Sequence, residues 1–181
     1  MRIIAGKHRS RKILTLTGQT TRPSSDRLKE SLFNVIGQRC DLQQWLDVFA
    51  GSGAIGLEAL SRGASFVVFN DSQPLACDMI KTNISTLGEQ QQSVVLNLDA
   101  IILDQYLSKQ SWMFDVVYLD PPYQYPIKPI VELIMQASYV KPQALIIIER
   151  AKDESLEYLS DYNIMKHKQI GHSQFVILKR S

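Results

Sequence analysis

The sequence predicts a doubly wound α/β fold, and three observations carry that expectation. From residue 44 onward, short β-branched runs alternate with longer segments of helical period. A glycine-rich turn joins the first run to a helix. The runs Val116-Val117-Tyr118-Leu119 and Leu145-Ile146-Ile147-Ile148 read as strands buried on both faces, as parallel sheets require.

The elements follow in order. Residues 2–5 and 12–16 read as short strands around a basic turn, an N-terminal β-hairpin. The next helix has Ser24 or Ser25 as its cap, with Pro23 closing the loop before it. Its apolar stripe is Leu28, Leu32, Phe33 and Ile36. Strand 44–49, helix 55–62, strand 66–70, helix 74–87 and strand 93–98 come next, and strands over 114–119, 144–149, 162–168 and 174–179 complete the set. Only residues 169–173 separate the last two strands, too few for the helical crossover of a parallel pair, so that end is antiparallel. Two parts result: a basic hairpin and helix over 1–40, and the main domain over 41–181.

With 181 residues, 45% hydrophobic and 21% charged, the chain can bury a sizeable core, which excludes disorder and collagen-like structure. No apolar run approaches the roughly 18 residues that cross a bilayer, and the N-terminus lacks the apolar core of a signal peptide. Cys40 and Cys77 fit a reduced compartment. A cytoplasmic protein is expected. The net charge of +2 hides an asymmetry: residues 1–30 hold eight Lys or Arg against Asp26 and Glu30, giving +6, so the rest carries −4. Such a basic end suits a polyanion, with Lys7, Arg9, Arg11, Lys12, Arg22 and Arg27 as candidate phosphate partners. A solvated arm is the bland alternative.

Gly51, Gly53 and Gly56 match the G-x-G-x-x-G spacing between a strand and a helix, where absent side chains let the backbone turn and approach a ligand. Asp71, 20 positions after Gly51 at the end of the next strand, suits a carboxylate bonded to ribose hydroxyls. A nucleoside-containing cofactor follows. Asp47 chooses between two classes: a pyrophosphate would be repelled by it, whereas the sulfonium and ammonium groups of S-adenosylmethionine would be attracted. Asp99, ending the third strand, is placed to accept from an adenine amino group. Turn chemistry or helix capping is the competing role for both aspartates.

Asp120-Pro121-Pro122-Tyr123 follows a buried strand at the carboxyl edge, where ligands of such sheets bind. Two prolines fix the backbone and remove two donors, leaving a rigid set of acceptors. An exocyclic amino group is a poor nucleophile because its lone pair is delocalised into the ring. The Asp120 carboxylate and a proline carbonyl that hold both amino hydrogens out of plane would aim that lone pair at a methyl donor, with Tyr123 as a stacking face. An ordinary turn is the alternative.

Asp47-Val-Phe-Ala-Gly-Ser-Gly53 together with Asp120-Pro-Pro-Tyr123 resembles the class I S-adenosylmethionine-dependent amino methyltransferases. More narrowly, Arg2-Ile-Ile-Ala-Gly6 with Arg9 and Arg11, Thr21-Arg-Pro-Ser-Ser-Asp-Arg-Leu-Lys-Glu-Ser-Leu-Phe-Asn34, and Gly56-Leu-Glu-Ala-Leu-Ser-Arg-Gly63 resemble the RsmD family across essentially the whole chain. The resemblance implies methylation of the 2-amino group of a guanine in 16S ribosomal RNA, free or in a small-subunit assembly particle, by a monomer. It also implies a seven-stranded Rossmann-like sheet of order 3-2-1-4-5-7-6, with an N-terminal hairpin and helix that hold RNA and close over the cofactor. Carried over, Asp47, Phe49, Gly51, Ser52, Gly53, Asp71 and Asp99 line the cofactor, and Asp120, Pro121, Pro122 and Tyr123 hold the guanine. Asp71 stands where relatives often carry the longer Glu.

Neither His8, His167 and His172 nor the cysteines show metal-ligand spacing, so no metal is assigned. Trp45 and Trp112 read as core residues, and Glu149 remains without a role. An adenine amino methyltransferase would use the same tetrapeptide. A nicotinamide dehydrogenase would use the glycines but has no use for it.

Overall fold

The computed structural model describes residues 1–15 and 23–180, with only the backbone of residues 23–25; Leu16 and Arg22 lie outside that description. In chain order the elements are α1 (Pro23–Ile36), β1 (Gln44–Asp47), α2 (Ala54–Ser61), β2 (Phe66–Asn70), α3 (Pro74–Leu87), β3 (Ser93–Leu96), α4 (Ala100–Leu107), β4 (Phe114–Leu119), α5 (Lys128–Gln136), β5 (Val140–Ala151), β6 (Ile164–Ile170) and β7 (Ser173–Lys179). They build one seven-stranded sheet of order β3-β2-β1-β4-β5-β7-β6, as expected. β3 to β5 pair in parallel, while β7 runs antiparallel to both β5 and β6.

Strand period two sorts the core onto the two faces. Trp45, Val67, Val116 and Tyr118 pack with Leu32 and Phe33 of α1, Leu57 and Leu60 of α2, and Ile80 of α3. Their neighbours Leu46, Val68, Val117 and Leu119 pack on the other face with Leu103 and Leu107 of α4 and Ile130 and Ile134 of α5. Each such side chain contributes roughly 1.5–3 kcal/mol by leaving water. Among the described residues no helix is long and apolar enough to cross a membrane.

Several elements depart from expectation. β1 and β3 stop at Asp47 and Leu96, because the chain leaves the ladder there to build the loops of the site. β5 starts at Val140, ahead of the apolar run; Pro142 and Gln143, the latter at φ 66°, interrupt the alternation, and the register with β4 shifts between Phe114 and Val116. α1 begins at Pro23 itself, a residue the first helical turn tolerates, so Ser24 and Ser25 fall inside the helix and neither is its cap. The helices α4 and α5 add to those expected.

Among the described residues the N-terminal strands do not form. Residues 1–15 make a hairpin held by a single antiparallel bridge, Arg2 with Lys12. The backbone groups that a ladder would use turn toward α2 instead. The Ile4 and Ala5 amides donate to the Glu58 carboxylate at 2.8 and 3.0 Å, and the Lys7 amide donates to the Ser61 carbonyl at 2.8 Å. This approach is so close that a Cβ on Gly6 would stand 1.8 Å from the Ser61 carbonyl oxygen. Glu58 is fully buried and also accepts from Arg62 Nε at 2.8 Å, with Lys29 Nζ of α1 3.6 Å away. Arm, α1 and α2 thus meet on one carboxylate.

Glu58→Ala should therefore lower unfolding stability by about 3–5 kcal/mol, since it strands two buried cations and two amides. Urea unfolding measures this, and a loss below about 1 kcal/mol would contradict the assignment. Glu58→Gln, which keeps an acceptor, should lose less.

Candidate functional site

A cavity of about 460 Å³ opens at the carboxyl ends of β1, β2, β4 and β5. Four carboxylates line it, Asp47, Asp71, Asp120 and Glu149, against one cationic side chain among the described residues, Lys29. Its floor is the glycine turn. The chain leaves β1 and turns through Gly51 and Gly53, both in the left-handed region, before α2 begins. Gly56, the third glycine, lets α2 lie against β2: a Cβ there would meet Phe69 at 2.3 Å.

Neighbouring polar groups hold the turn in place. Asp71 accepts from the Gly51 amide at 2.8 Å and from the Gln73 amide at 2.9 Å. The Asn70 side chain donates to the Val48 and Leu98 carbonyls, both at 3.0 Å, and so fastens the ends of β1, β2 and β3 together. Asn83 of α3 donates to the Ser52 carbonyl at 3.1 Å and exchanges two bonds with Leu14 of the arm.

Asp47 is buried. Its Oδ2 accepts from the Gly56 amide at 3.3 Å, and its Oδ1 has no partner among the described residues. Burial pushes its pKa up to about 7, against the pull of the Gly56 amide and with a further push from Asp71. An orphaned acceptor facing a cavity is an unmet demand for a donor or a cation.

Asp120 begins the turn after β4 and opens onto the cavity. Its pKa is raised well above its ordinary value, by dehydration among the surrounding protein atoms and then by the Glu149 and Asp47 charges, with Arg150 pulling it back, although the residue is exposed to solvent at the cavity mouth. Cavity water moderates the first of these causes. Pro121 and Pro122 also line the cavity. The Pro122 carbonyl is taken by the Tyr125 amide at 3.0 Å, whereas no donor among the described residues takes the Pro121 carbonyl. Of the two proline acceptors, only the first is therefore available.

The expected residues divide accordingly. Asp47, Phe49, Gly51, Ser52, Asp71, Asp120, Pro121 and Pro122 share the cavity, and Gly53 shapes its turn. Tyr123 does not line it and stands 61% exposed. Asp99 does not line it either; one oxygen caps α4 by accepting from the Ile101 amide at 2.9 Å. Phe49 meets Tyr125 edge to face at 5.2 Å. On the arm, Arg9, Arg11 and Lys12 are exposed, as is Arg27 on α1, while Lys7 pairs with Glu89 at 2.7 Å.

The comparisons with known proteins meet this geometry. The family model described as conserved hypothetical protein 95 matches residues 1–179. The chain belongs to that family, the RsmD family. A relative from Haemophilus influenzae, named ribosomal RNA small subunit methyltransferase D, is 36% identical over 94% of this chain and 89% of its own. The Escherichia coli protein of the same name is 29% identical over 99% of this chain and 90% of its own. The solved Escherichia coli protein yhhF superposes with a TM-score of 0.83 at 28% identity, covering 100% of this chain and 98% of that one.

In this member of the RsmD family, sequence reasoning passed over two cavity residues. Lys29 belongs by formal charge with the surface cations, yet it is buried, donates to the Arg2 carbonyl at 2.6 Å and lines the cavity. Burial lowers its pKa against the pull of Glu58 and Asp26. The signal was present: Lys29 stands three and four residues before Leu32 and Phe33, on the apolar stripe itself. Glu149 lines the cavity beside Asp120 and accepts from the Tyr118 hydroxyl.

Asp47 leads to a pH prediction. Its folded pKa lies above its unfolded value, so the folded state binds the extra proton and stability falls as pH rises from about 4 to about 7. Three pKa units correspond to at most about 4 kcal/mol. Asp47→Asn should flatten that part of the profile and be the more stable protein at pH 8. Unfolding at pH 5 and pH 8 compares the two; identical pH slopes would refute the buried, orphaned carboxylate.

Proposed function

We infer that this chain transfers a methyl group from S-adenosylmethionine to the exocyclic 2-amino group of a guanine in 16S ribosomal RNA, free or within a small-subunit assembly particle. The observation that carries the reading is one carboxylate-lined cavity shared by the glycine turn and the Asp120-Pro121-Pro122 turn, with Asp47 Oδ1 buried and unpartnered in it. A cofactor bearing an ammonium and a sulfonium answers that charge, whereas a pyrophosphate opposes it. The name shared by the Haemophilus and Escherichia relatives supplies the substrate class.

The roles follow from chemistry. Asp47 balances the cofactor's positive charge, and Asp71 accepts from its ribose hydroxyls with the lone pairs left over from two amides. Phe49, Gly51, Ser52 and Gly53 form the walls, and Asp99 keeps one oxygen for an adenine amino group. The bound cofactor supplies an electrophilic methyl group. The Asp120 carboxylate and the Pro121 carbonyl accept the two amino hydrogens and draw the nitrogen lone pair out of conjugation. Tyr123, exposed beyond the turn, offers the base a stacking face. Residues 1–40 hold the RNA through Lys7, Arg9, Arg11, Lys12, Arg22 and Arg27, and the protein works as a cytoplasmic monomer.

The test is methylation of small-subunit RNA and of its assembly particle, with the product nucleoside identified by mass spectrometry. N2-methylguanosine is expected; N6-methyladenosine would favour the adenine reading, and no product would overturn both. Asp120→Ala should cut methyl transfer by on the order of a hundredfold while leaving cofactor affinity, read by calorimetry, nearly intact. Wild-type turnover in that variant would sink the mechanism.

Replacing Arg9, Arg11 and Lys12 together should weaken RNA binding and reduce the salt slope by about 0.7–0.9 for each phosphate no longer neutralised. Titrations of an RNA fragment at several salt concentrations measure this. An unchanged slope would make the arm a solvated face.

A further inference from the structure

Glu149 has no part in the scheme above, yet the fold places it beside the reacting group. In the parallel register of β4 and β5, Leu119 pairs with Ile148, so Asp120, the first residue after β4, comes beside Glu149, which stays in β5 opposite Phe175 of β7. Strand alternation puts Tyr118, Asp120 and Glu149 on the same face, the one that carries the cavity. All three line it. Glu149 is held in place by the Tyr118 hydroxyl, which donates to its Oε2, and by its place in β5 opposite Phe175 of β7. A half-buried carboxylate held by the Tyr118 hydroxyl, and placed by strand register beside a second carboxylate on the same cavity, is more than a surface acid.

Methyl transfer to an amino group leaves a proton to be removed. As the guanine nitrogen lone pair forms the N–C bond, the C–S bonding pair returns to sulfur, and the nitrogen is left positive with both its hydrogens. One must depart as H⁺ to give the neutral N-methylamine. Resting on the functional reading above, we propose that Asp120 and Glu149 act as a coupled carboxylate pair that accepts this proton, Asp120 by direct contact with the amino group and Glu149 by sharing the proton and orienting its neighbour.

Two like charges this close resist simultaneous ionisation, so one proton is held more tightly than either carboxyl would hold it alone. Dehydration raises both groups, and the Glu149 charge raises Asp120 further. The other groups bearing on the pair are Asp47 of β1, which raises Asp120, and Arg150 of β5, which lowers it; Lys29 of α1 lines the same cavity. The hydroxyl of Tyr118 favours the ionised form of Glu149.

The proposal predicts opposite shifts from two variants. The accepting form is ionised, so wild-type turnover should rise with pH through an acidic limb. Glu149→Gln removes the like charge: turnover should fall by on the order of a hundredfold and the limb should move to lower pH. Tyr118→Phe removes a donor to the ionised form, so the limb should move to higher pH. Carbon-13 titration of the side-chain carboxyls in protein without cofactor should show the same two shifts, and calorimetric cofactor affinity should stay within about twofold of wild type. Active wild type with an unmoved limb in Glu149→Gln, or shifts of the same sign in both variants, overturns the pair. Inactive wild type on every RNA and particle overturns the functional reading and the acceptor role with it, while the carboxyl titration still reports whether the two groups are coupled.

Discussion

Glu58 sits with no exposure on α2, the helix that starts at the glycine turn, and receives two arm amides and the Arg62 guanidinium with the Lys29 ammonium near by. Burying three charges is unfavourable in itself; what makes it tolerable is that each finds partners in fixed directions. The directions matter more than the energy. They hold residues 1–15 and α1 against the same helix that carries the turn, and so bring Met1, Leu28 and Lys29 onto the cavity wall opposite β4 and β5. Arg62 extends the arrangement by lying over the Phe33 ring at 4.4 Å and reaching Gln38 at 2.7 Å.

The cavity pays in stability for its charge. Four carboxylates against one lysine is an unfavourable balance, and it shows as an Asp47 oxygen with no partner among the described residues and as raised pKa values at Asp47, Asp120 and Glu149. A fold selected for stability alone would neutralise such a cluster or open it to water. Keeping it is what a site for a cationic ligand requires, and local rules of good packing commonly fail at such places.

Where the sequence was legible, the signal was local. The Gly51, Gly53, Gly56 spacing and the Asp120-Pro121-Pro122 turn impose their geometry within a few residues, and the apolar runs of β4 and β5 mark central strands; the sheet order was implied by the family resemblance. What escaped depended on distant partners. The arm strands failed to form because the Ile4 and Ala5 amides chose a carboxylate 54 and 53 residues away. Asp99 could be read as ligand or cap, and only the placement of α4 commits one of its oxygens to a cap. β5 hid its first residues behind Pro142 and a left-handed Gln143, which no periodicity reveals.

Formal charge is a poor guide to the arm's strength as a polyanion surface. Of the eight cations in residues 1–30, Lys29 is buried with Glu58, Lys7 is tied to Glu89, and Arg2 stands 3.9 Å from Asp26. Arg22 lies outside the described residues, leaving Arg9, Arg11, Lys12 and Arg27 exposed with no carboxylate partner in the described set. Counterion release scales with phosphates neutralised, so four such cations bound their share of the salt slope near about 3 to 4, where eight would suggest about twice that. On the proposed function, affinity also draws on the base, held against Asp120 and Pro121 with Tyr123 as a stacking face. That reading couples binding to chemistry: an RNA that could not offer its guanine to the cavity would forfeit much of the binding surface.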